Sequence, residues 1–297
     1  VSEKKDLLSE WRELLKRRRR ALYPSLIKTA DVIGATCIGI ATDANFSDLD
    51  FEMVIADEAG QIQVMDLLVP LVRAKRAILV GDDRQLPPVI DEEVASQIDP
   101  EDEEQRAWLD TSLFERLFNE TTPDSHKSML DTQYRMPRII ADFISQRFYD
   151  KKYRTGKDVP FADPFFRSPI VFIDTQSEKN RWEKPAVEPE GIRGYINHLE
   201  ARLIADVVEA YQSHGDEWGV IVPYKKQAER IQAELKRRRS GLPATLLKDW
   251  VATVDSFQGK ERSVIIFGFT RSNSHGRIGF LSELRRLNVS LTRANWY

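Results

Sequence analysis

Cysteine, histidine and long apolar runs are all scarce in this sequence. Cys37 is the sole cysteine among 297 residues, so no internal disulfide can form. The four histidines, His126, His198, His214 and His275, are scattered, and no Cys/His pair has metal-binding spacing. The longest apolar run, near Val264–Phe269, falls far short of the roughly 20 residues that a membrane-spanning helix needs. The charged segment opening at Val1 does not resemble a signal peptide. Nor is there an excess of basic charge. The 44 Lys and Arg against 47 Asp and Glu leave a net charge of −3, which neither announces nor excludes nucleic acid, because a local groove can bind phosphates on a neutral protein. The expectation is an intracellular protein, cytoplasmic or nuclear, with no membrane partner.

What remains is globular in composition: 41% hydrophobic and 31% charged, with 14 Gly and 14 Pro, enough for two domains that each bury a core. No internal repeat or low-complexity tract interrupts it. Residues 3–22 carry Leu7, Leu8, Trp11, Leu14, Leu15 and Leu22 at helical spacing, with Arg17–Arg20 directed to solvent or a partner. Short apolar runs follow at Val32–Thr36, Met53–Ala56, Ala77–Val80, Ile170–Ile173, Val220–Val222, Val251–Val254 and Val264–Phe269. Amphipathic stretches separate some of them. One carries Leu199, Leu203, Ile204, Val207, Val208 and Tyr211, and another Ala228, Ile231 and Leu235. Apolar strands separated by such helices predict an α/β fold with parallel sheets covered on both faces. Residues 91–104 and 185–191 read as surface loops. A boundary near Thr122–Lys127 divides the chain into residues 1–124 and 125–297.

In such sheets ligands are met just past the carboxyl ends of the strands. The first lobe ejects Asp57-Glu58-Ala59-Gly60-Gln61 from one strand and Gly81-Asp82-Asp83-Arg84-Gln85-Leu86-Pro87-Pro88 from the next. Beside a nucleotide, a first carboxylate can hold Mg²⁺ through water while the second orients and deprotonates the attacking water. Equally, an acidic pair can simply open the following helix. A neutral amide such as Gln85 can hydrogen-bond a terminal phosphate, and Pro87-Pro88 stiffens its loop. In the second lobe Gln133-Tyr134-Arg135-Met136 leads into a helix. It sets a ring that can stack on a base beside a guanidinium that can reach phosphate, unless Tyr134 is a core residue. Thr253–Glu261 leaves another strand, and Arg285–Ala294 reads as a helix with Leu287 and Leu291 toward the core and Arg293 late on it.

Taken in order, these segments resemble the motif series of superfamily 1 helicases, in the branch that includes the up-frameshift RNA helicases and senataxin. Residues 31–37 are similar to motif Ic, 55–61 to motif II, 81–88 to motif III, 130–136 to motif IV, 253–261 to motif V and 284–294 to motif VI. The likeness covers most of residues 30–294. It implies two RecA-like lobes, the first incomplete, with ATP between them and hydrolysis that drives movement, 5′ to 3′, along single-stranded RNA or DNA. By the same resemblance Asp57 holds Mg²⁺, Glu58 is the catalytic base, Gln85 senses the γ-phosphate and Tyr134 stacks near the adenine. Arg135 and Arg293 are arginine fingers, and Gly259 and Glu261 lie near the nucleotide's sugar and phosphates. Thr36, Pro223, Tyr224 and Thr253 line the strand path, mostly against backbone, so sequence preference should be slight.

Several positions depart from the family pattern. Pro137-Arg138 stands where His-Pro is usual, and Asp83-Arg84 where His-Lys is common. Val222 replaces the Ser or Thr before Pro-Tyr, which puts one strand contact in doubt. Ser290 replaces an Ala and Asn295 a basic residue. A larger departure is that no segment fits G-x-x-x-x-G-K-[ST]. Gly34-Ala-Thr-Cys-Ile-Gly39 has the two glycines but continues Ile40-Ala41. The expectation is a phosphate (Walker A) loop supplied by an upstream segment or a partner chain, with residues 1–297 alone inactive. A catalytically silent scaffold that binds nucleic acid or protein, or one half of a split motor, would lack that loop too.

Overall fold

The computed structural model describes residues 11, 13, 22–90, 102, 105, 108–109, 111–157, 160–188, 191–238 and 242–295. The expected helix over 3–22 and the acidic loop over 91–104 lie almost wholly outside these residues. The chain divides into two compact units, one of Val1–Asp83 with Pro87–Pro123, the other of Arg84–Leu86 with Asp124–Tyr297. Among the described residues no helix is long and apolar enough to cross a membrane.

In the first unit, Val32–Thr36 is not a strand, against the expectation from its apolar run. Thr36 instead caps helix α1 (Cys37–Thr42), its hydroxyl accepting the Gly39 N–H at 3.0 Å. A run that ends in a capping threonine starts a helix more readily than it joins a sheet. Strand β1 (Val54–Ala56) lies parallel to β2 (Ala77–Leu79), with Ile55 opposite Ile78. Helix α2 (Val64–Leu71) makes the crossover between them. Ala56, Ala59, Leu67 and Phe114 form the core beneath, Phe114 coming from the short helix α3 (Leu113–Arg116), which Ser112 caps. Ile55 and Ile78 are exposed.

The second unit opens with a short parallel pair, β3 (Thr132–Gln133) and β4 (Arg154–Thr155), joined by helix α4 (Arg138–Phe148). Residues 185–191, expected as a loop, contribute to an antiparallel pair of β5 (Lys184–Glu188) and β6 (Gly191–Ile196). Pro185 sits at a register shift between Pro185 and Val187, the kind of bulge where a strand tolerates proline. Ile170–Ile173, expected as a strand, joins no strand ladder. Pro169 precedes it, and the Phe172 ring packs edge-on against Phe269 instead.

Helix α5 (His198–His214), strand β7 (Trp218–Val222), helix α6 (Lys225–Arg237), helix α7 (Ala244–Trp250), strand β8 (Val251–Thr253), helix α8 (Val254–Phe257) and strand β9 (Val264–Phe267) build the centre of this unit. The sheet order is β8-β7-β9, all parallel. Every residue of β7 is buried, as a central parallel strand covered on both faces requires. Asn197 caps α5, accepting the Glu200 N–H at 3.0 Å, and Gly215 ends it in the left-handed region at φ 94°. The α5 stripe Ala201, Ile204, Ala205, Val208 and Tyr211 packs on Trp218, Val220 and Val222, with Ala228, Ile231 and Leu235 from α6. Helix α9 (Leu284–Leu291) differs from expectation in its buried positions. Val289 enters the core with Ile221, Val254 and Phe257, while Leu291 packs against the α4 cluster and Leu287 is half-buried. The helix ends at Leu291, so Arg293 lies in the turn beyond it.

Candidate functional site

The first unit presents its acids at the carboxyl end of β1. Asp57 and Glu58 are both exposed. The Asp57 carboxylate accepts the Glu58 N–H at 3.0 Å, and Glu58 accepts from the Gln61 side chain at 2.6 Å. Glu58 has φ 52° and ψ 34°, a left-handed conformation that costs a non-glycine residue roughly 1–2 kcal/mol. The surrounding backbone enforces it: Ala59 N–H donates to Val80 O at 2.8 Å, and Gly60 lies so near Asp82 that a Cβ would come within 3.1 Å of its carbonyl oxygen. Glu58 stands at the N-cap of a single 3-10 turn, Ala59–Gln61, without making a side-chain capping bond to it. A single carboxylate such as Asp57 suits Mg²⁺, which is held by one or two carboxylates and otherwise by water and phosphate oxygens. Among the described residues no group of three His, Cys, Asp or Glu could hold a metal by itself.

The second unit brings together four of the expected nucleotide residues. Tyr134 is exposed rather than a core residue. The turn that carries it is built by the buried Gln133 side chain, whose Oε1 accepts Arg135 N–H at 2.8 Å and Met136 N–H at 2.6 Å. Its Nε2 donates to Met136 O at 2.9 Å and Thr155 Oγ1 at 3.0 Å. Gly156 completes the seat: a Cβ there would lie 2.4 Å from the Tyr134 ring. Arg135 Nε pairs with Glu261 at 2.7 Å, and its Nη1 approaches Thr292 O at 3.4 Å. Arg293 is buried, donating through Nε to Val289 O at 3.0 Å and through Nη2 to Thr292 Oγ1 at 3.1 Å. Gln85 Oε1 lies 3.5 Å from the same nitrogen. Gln85 is held there because its neighbour Leu86 is buried with Ile221, Ala252 and Phe257, while Asn288 donates to Arg84 O at 2.8 Å. Gly259 is exposed at φ 75°, a backbone that favours glycine.

The expected strand contacts are spread more widely. Thr36 is exposed in the first unit. In the second, Pro223 is buried, and Thr253 is half-buried and caps α8. Tyr224 sits in a cluster that the sequence did not foretell. Its hydroxyl accepts from Arg271 Nη1 at 3.2 Å and Phe280 N–H at 3.4 Å. Arg271 in turn pairs with Glu183 at 2.9 Å, both side chains being only 8% exposed. Beneath the same loop, burial pushes the Glu200 carboxyl up, against the hydrogen bonds it accepts from Thr270 N–H at 2.7 Å and the Gln227 amide at 2.8 Å. Thr270 is itself left-handed at φ 65° and fully buried. Gln133 stood in a quoted motif without a role, whereas Gly156, Glu183 and Glu200 had no sequence signal.

Parallel strands joined by helices, with polar side chains leaving the strand ends, place the chain among α/β proteins. Two family models, each described as an AAA domain, match residues 109–296 and 1–93. The chain is 36% identical over 309 residues to a protein named regulator of nonsense transcripts 1 homolog from Arabidopsis thaliana, covering 99% of this chain and 23% of that one. It is 34% identical over 292 residues to ATP-dependent helicase NAM7 of Saccharomyces cerevisiae (93% and 28%) and 31% identical over 287 residues to helicase sen1 of Schizosaccharomyces pombe (93% and 16%). The chain thus spans less than a third of the length of these relatives. It belongs to the superfamily 1 helicases, in the up-frameshift and senataxin branch.

Proposed function

We propose that this chain is part of an ATP-driven helicase or translocase that moves 5′ to 3′ on single-stranded RNA or DNA, with residues 1–124 and 125–297 contributing to two RecA-like lobes. The observation that supports it most is in the second unit, where Gln85 and Arg293, 208 positions apart, meet at 3.5 Å. A terminal-phosphate sensor and an arginine finger must address the same phosphate. In this reading Glu58 accepts a proton from water as its oxygen bonds to the γ-phosphorus and the bond to the bridging oxygen breaks, releasing ADP and phosphate. Arg135 and Arg293 neutralise charge developing on the phosphoryl oxygens, and Tyr134 stacks near the adenine, with Gly259 and Glu261 by the sugar. Asp57 would hold Mg²⁺, which would neutralise phosphate charge when bound. A G-x-x-x-x-G-K-[ST] loop elsewhere in the longer protein, or in a partner, grips the phosphates. Thr36, Tyr224 and Thr253, with the backbone at Pro223, line the strand path.

The test is a strand-stimulated ATPase assay on the full-length parent, with RNA and DNA in parallel. Glu58→Gln or Arg293→Ala is expected to lower stimulated hydrolysis at least about a hundredfold while strand binding survives. Turnover at the parent rate in either variant removes the role given to that residue. Binding without any hydrolysis in the parent favours the silent scaffold.

A further inference from the structure

A buried ion pair is a poor source of stability, because desolvation of both charges offsets most of their attraction. The second unit nevertheless buries one beside Tyr224. Glu183, just before β5, accepts from Arg271 Nε at 3.0 and 3.1 Å and from Ser272 N–H at 2.5 Å, and both its oxygens lie 3.3 Å from the Asn273 amide. Arg271 has three further neighbours. Its guanidinium carbon lies 3.9 Å from the Tyr195 ring centroid, Nη1 reaches the Tyr224 hydroxyl at 3.2 Å, and Gly279 passes so close that a Cβ would clash with that nitrogen. Gly279 takes φ 57° at this approach, so both its conformation and its missing side chain are used. Arg271 and the Phe280 N–H thus meet at the Tyr224 hydroxyl, and Glu183 and Tyr195, distant in sequence, hold the Arg271 guanidinium.

We propose that Glu183 and Arg271 are positioning residues that fix Tyr224 for contact with a single strand. This rests on the strand-path reading of Tyr224. The carboxylate holds the guanidinium in one orientation, and the guanidinium gives the Tyr224 hydroxyl its shorter hydrogen bond, 3.2 Å against 3.4 Å from the Phe280 N–H, beside an edge contact with Tyr195 and a tilted one with Phe280. Without that anchor the ring gains rotamers, and strand binding must restrict them again.

Binding of fluorescein-labelled oligouridylate and oligothymidylate to the full-length parent, followed by anisotropy, tests this as a double-mutant cycle. Glu183→Gln and Tyr224→Phe are each expected to weaken binding roughly tenfold, and the double variant also about tenfold rather than a hundredfold, because both changes cut one chain of contacts. A loss in the double variant equal to the product of the single losses, or single variants that bind like the parent, overturns the proposal. A purely structural Glu183 would lower the thermal midpoint without coupling to the Tyr224 hydroxyl. If Glu183→Gln does not fold, Arg271→Lys with Tyr224→Phe forms the same cycle, since lysine cannot reach both partners, and independent losses there count equally against it. A parent that binds neither oligonucleotide instead sinks the strand-path reading itself.

Discussion

Two of the parallel sheets, β1-β2 and β8-β7-β9, carry candidate side chains past their carboxyl ends on very different foundations. The sheet of the first unit is a two-stranded ladder whose central residues, Ile55 and Ile78, are 67% and 47% exposed. In the second unit β7 is buried along its whole length between two neighbours. Yet the tip of the thinner sheet is no less defined. Glu58 is held in a left-handed conformation by the Ala59–Val80 bond and the close approach of Gly60 to Asp82. The contrast separates two things that are often run together. The shape of a strand tip is set by a few local backbone contacts, whereas resistance to unfolding is set by the depth of the core beneath it.

The largest expected effect sharpens that separation. Trp218→Ala in β7 should cost about 3–5 kcal/mol, the usual loss for a fully buried aromatic, whereas Ile55→Ala in β1 should cost less than about 1 kcal/mol. Urea midpoints of the two variants check this, and equal losses would break the comparison. A smaller effect concerns the Tyr134 seat. Gly156→Ala should raise the KM for ATP roughly tenfold by displacing the ring, but should add far less in a Tyr134→Ala background, where only the 2.9 Å approach to Thr132 Cγ2 remains. Steady-state kinetics of the two singles and the double decide it.

Next, Glu58→Gly should raise stability by up to about 1 kcal/mol while hydrolysis is lost, because glycine adopts the left-handed backbone without strain. A thermal scan beside the ATPase assay reads both, and a Glu58→Gly variant that melts earlier than the parent would show that the tip is not strained. A pH-dependent effect lies on α6. Hydrogen bonds from Arg237 and Arg238, aided by the charge of Arg230, outweigh burial and pull the Glu234 carboxyl down to about 2. Its folded value lies below its unfolded one, so this contribution is present above pH 4.5 and is lost as pH falls toward 2. Glu234→Gln should flatten the dependence of the melting midpoint over that window.

Much of this was legible in the sequence, and what escaped did so for physical reasons. The runs 53–56, 77–80, 220–222, 251–254 and 264–269 all contain strands, since four or five apolar residues between helical stretches have few other uses. Val32–Thr36 failed because its last residue is a better helix cap than a strand end. Ile170–Ile173 failed because apolar content alone does not supply a pairing partner, and 185–191 because proline at a bulge looks like proline in a loop. The short motifs carried the candidate residues, but not the residues that hold them. Glu183 meets Arg271 across 88 positions, and Gln133 meets Thr155 across 22. Separations of that size leave no periodicity to read.

Glu200 and Thr270 show where such a hidden partnership leads. A carboxylate that is surrounded by protein and grips the amide of a residue with the wrong-handed backbone cannot be exchanged for an apolar side chain without orphaning that amide. A change of side chain at position 270 keeps that backbone N–H as a donor, so the constraint falls on the acid. In a lineage of related chains position 200 is therefore expected to keep its carboxyl, while position 270 changes more freely among residues that accept a left-handed backbone.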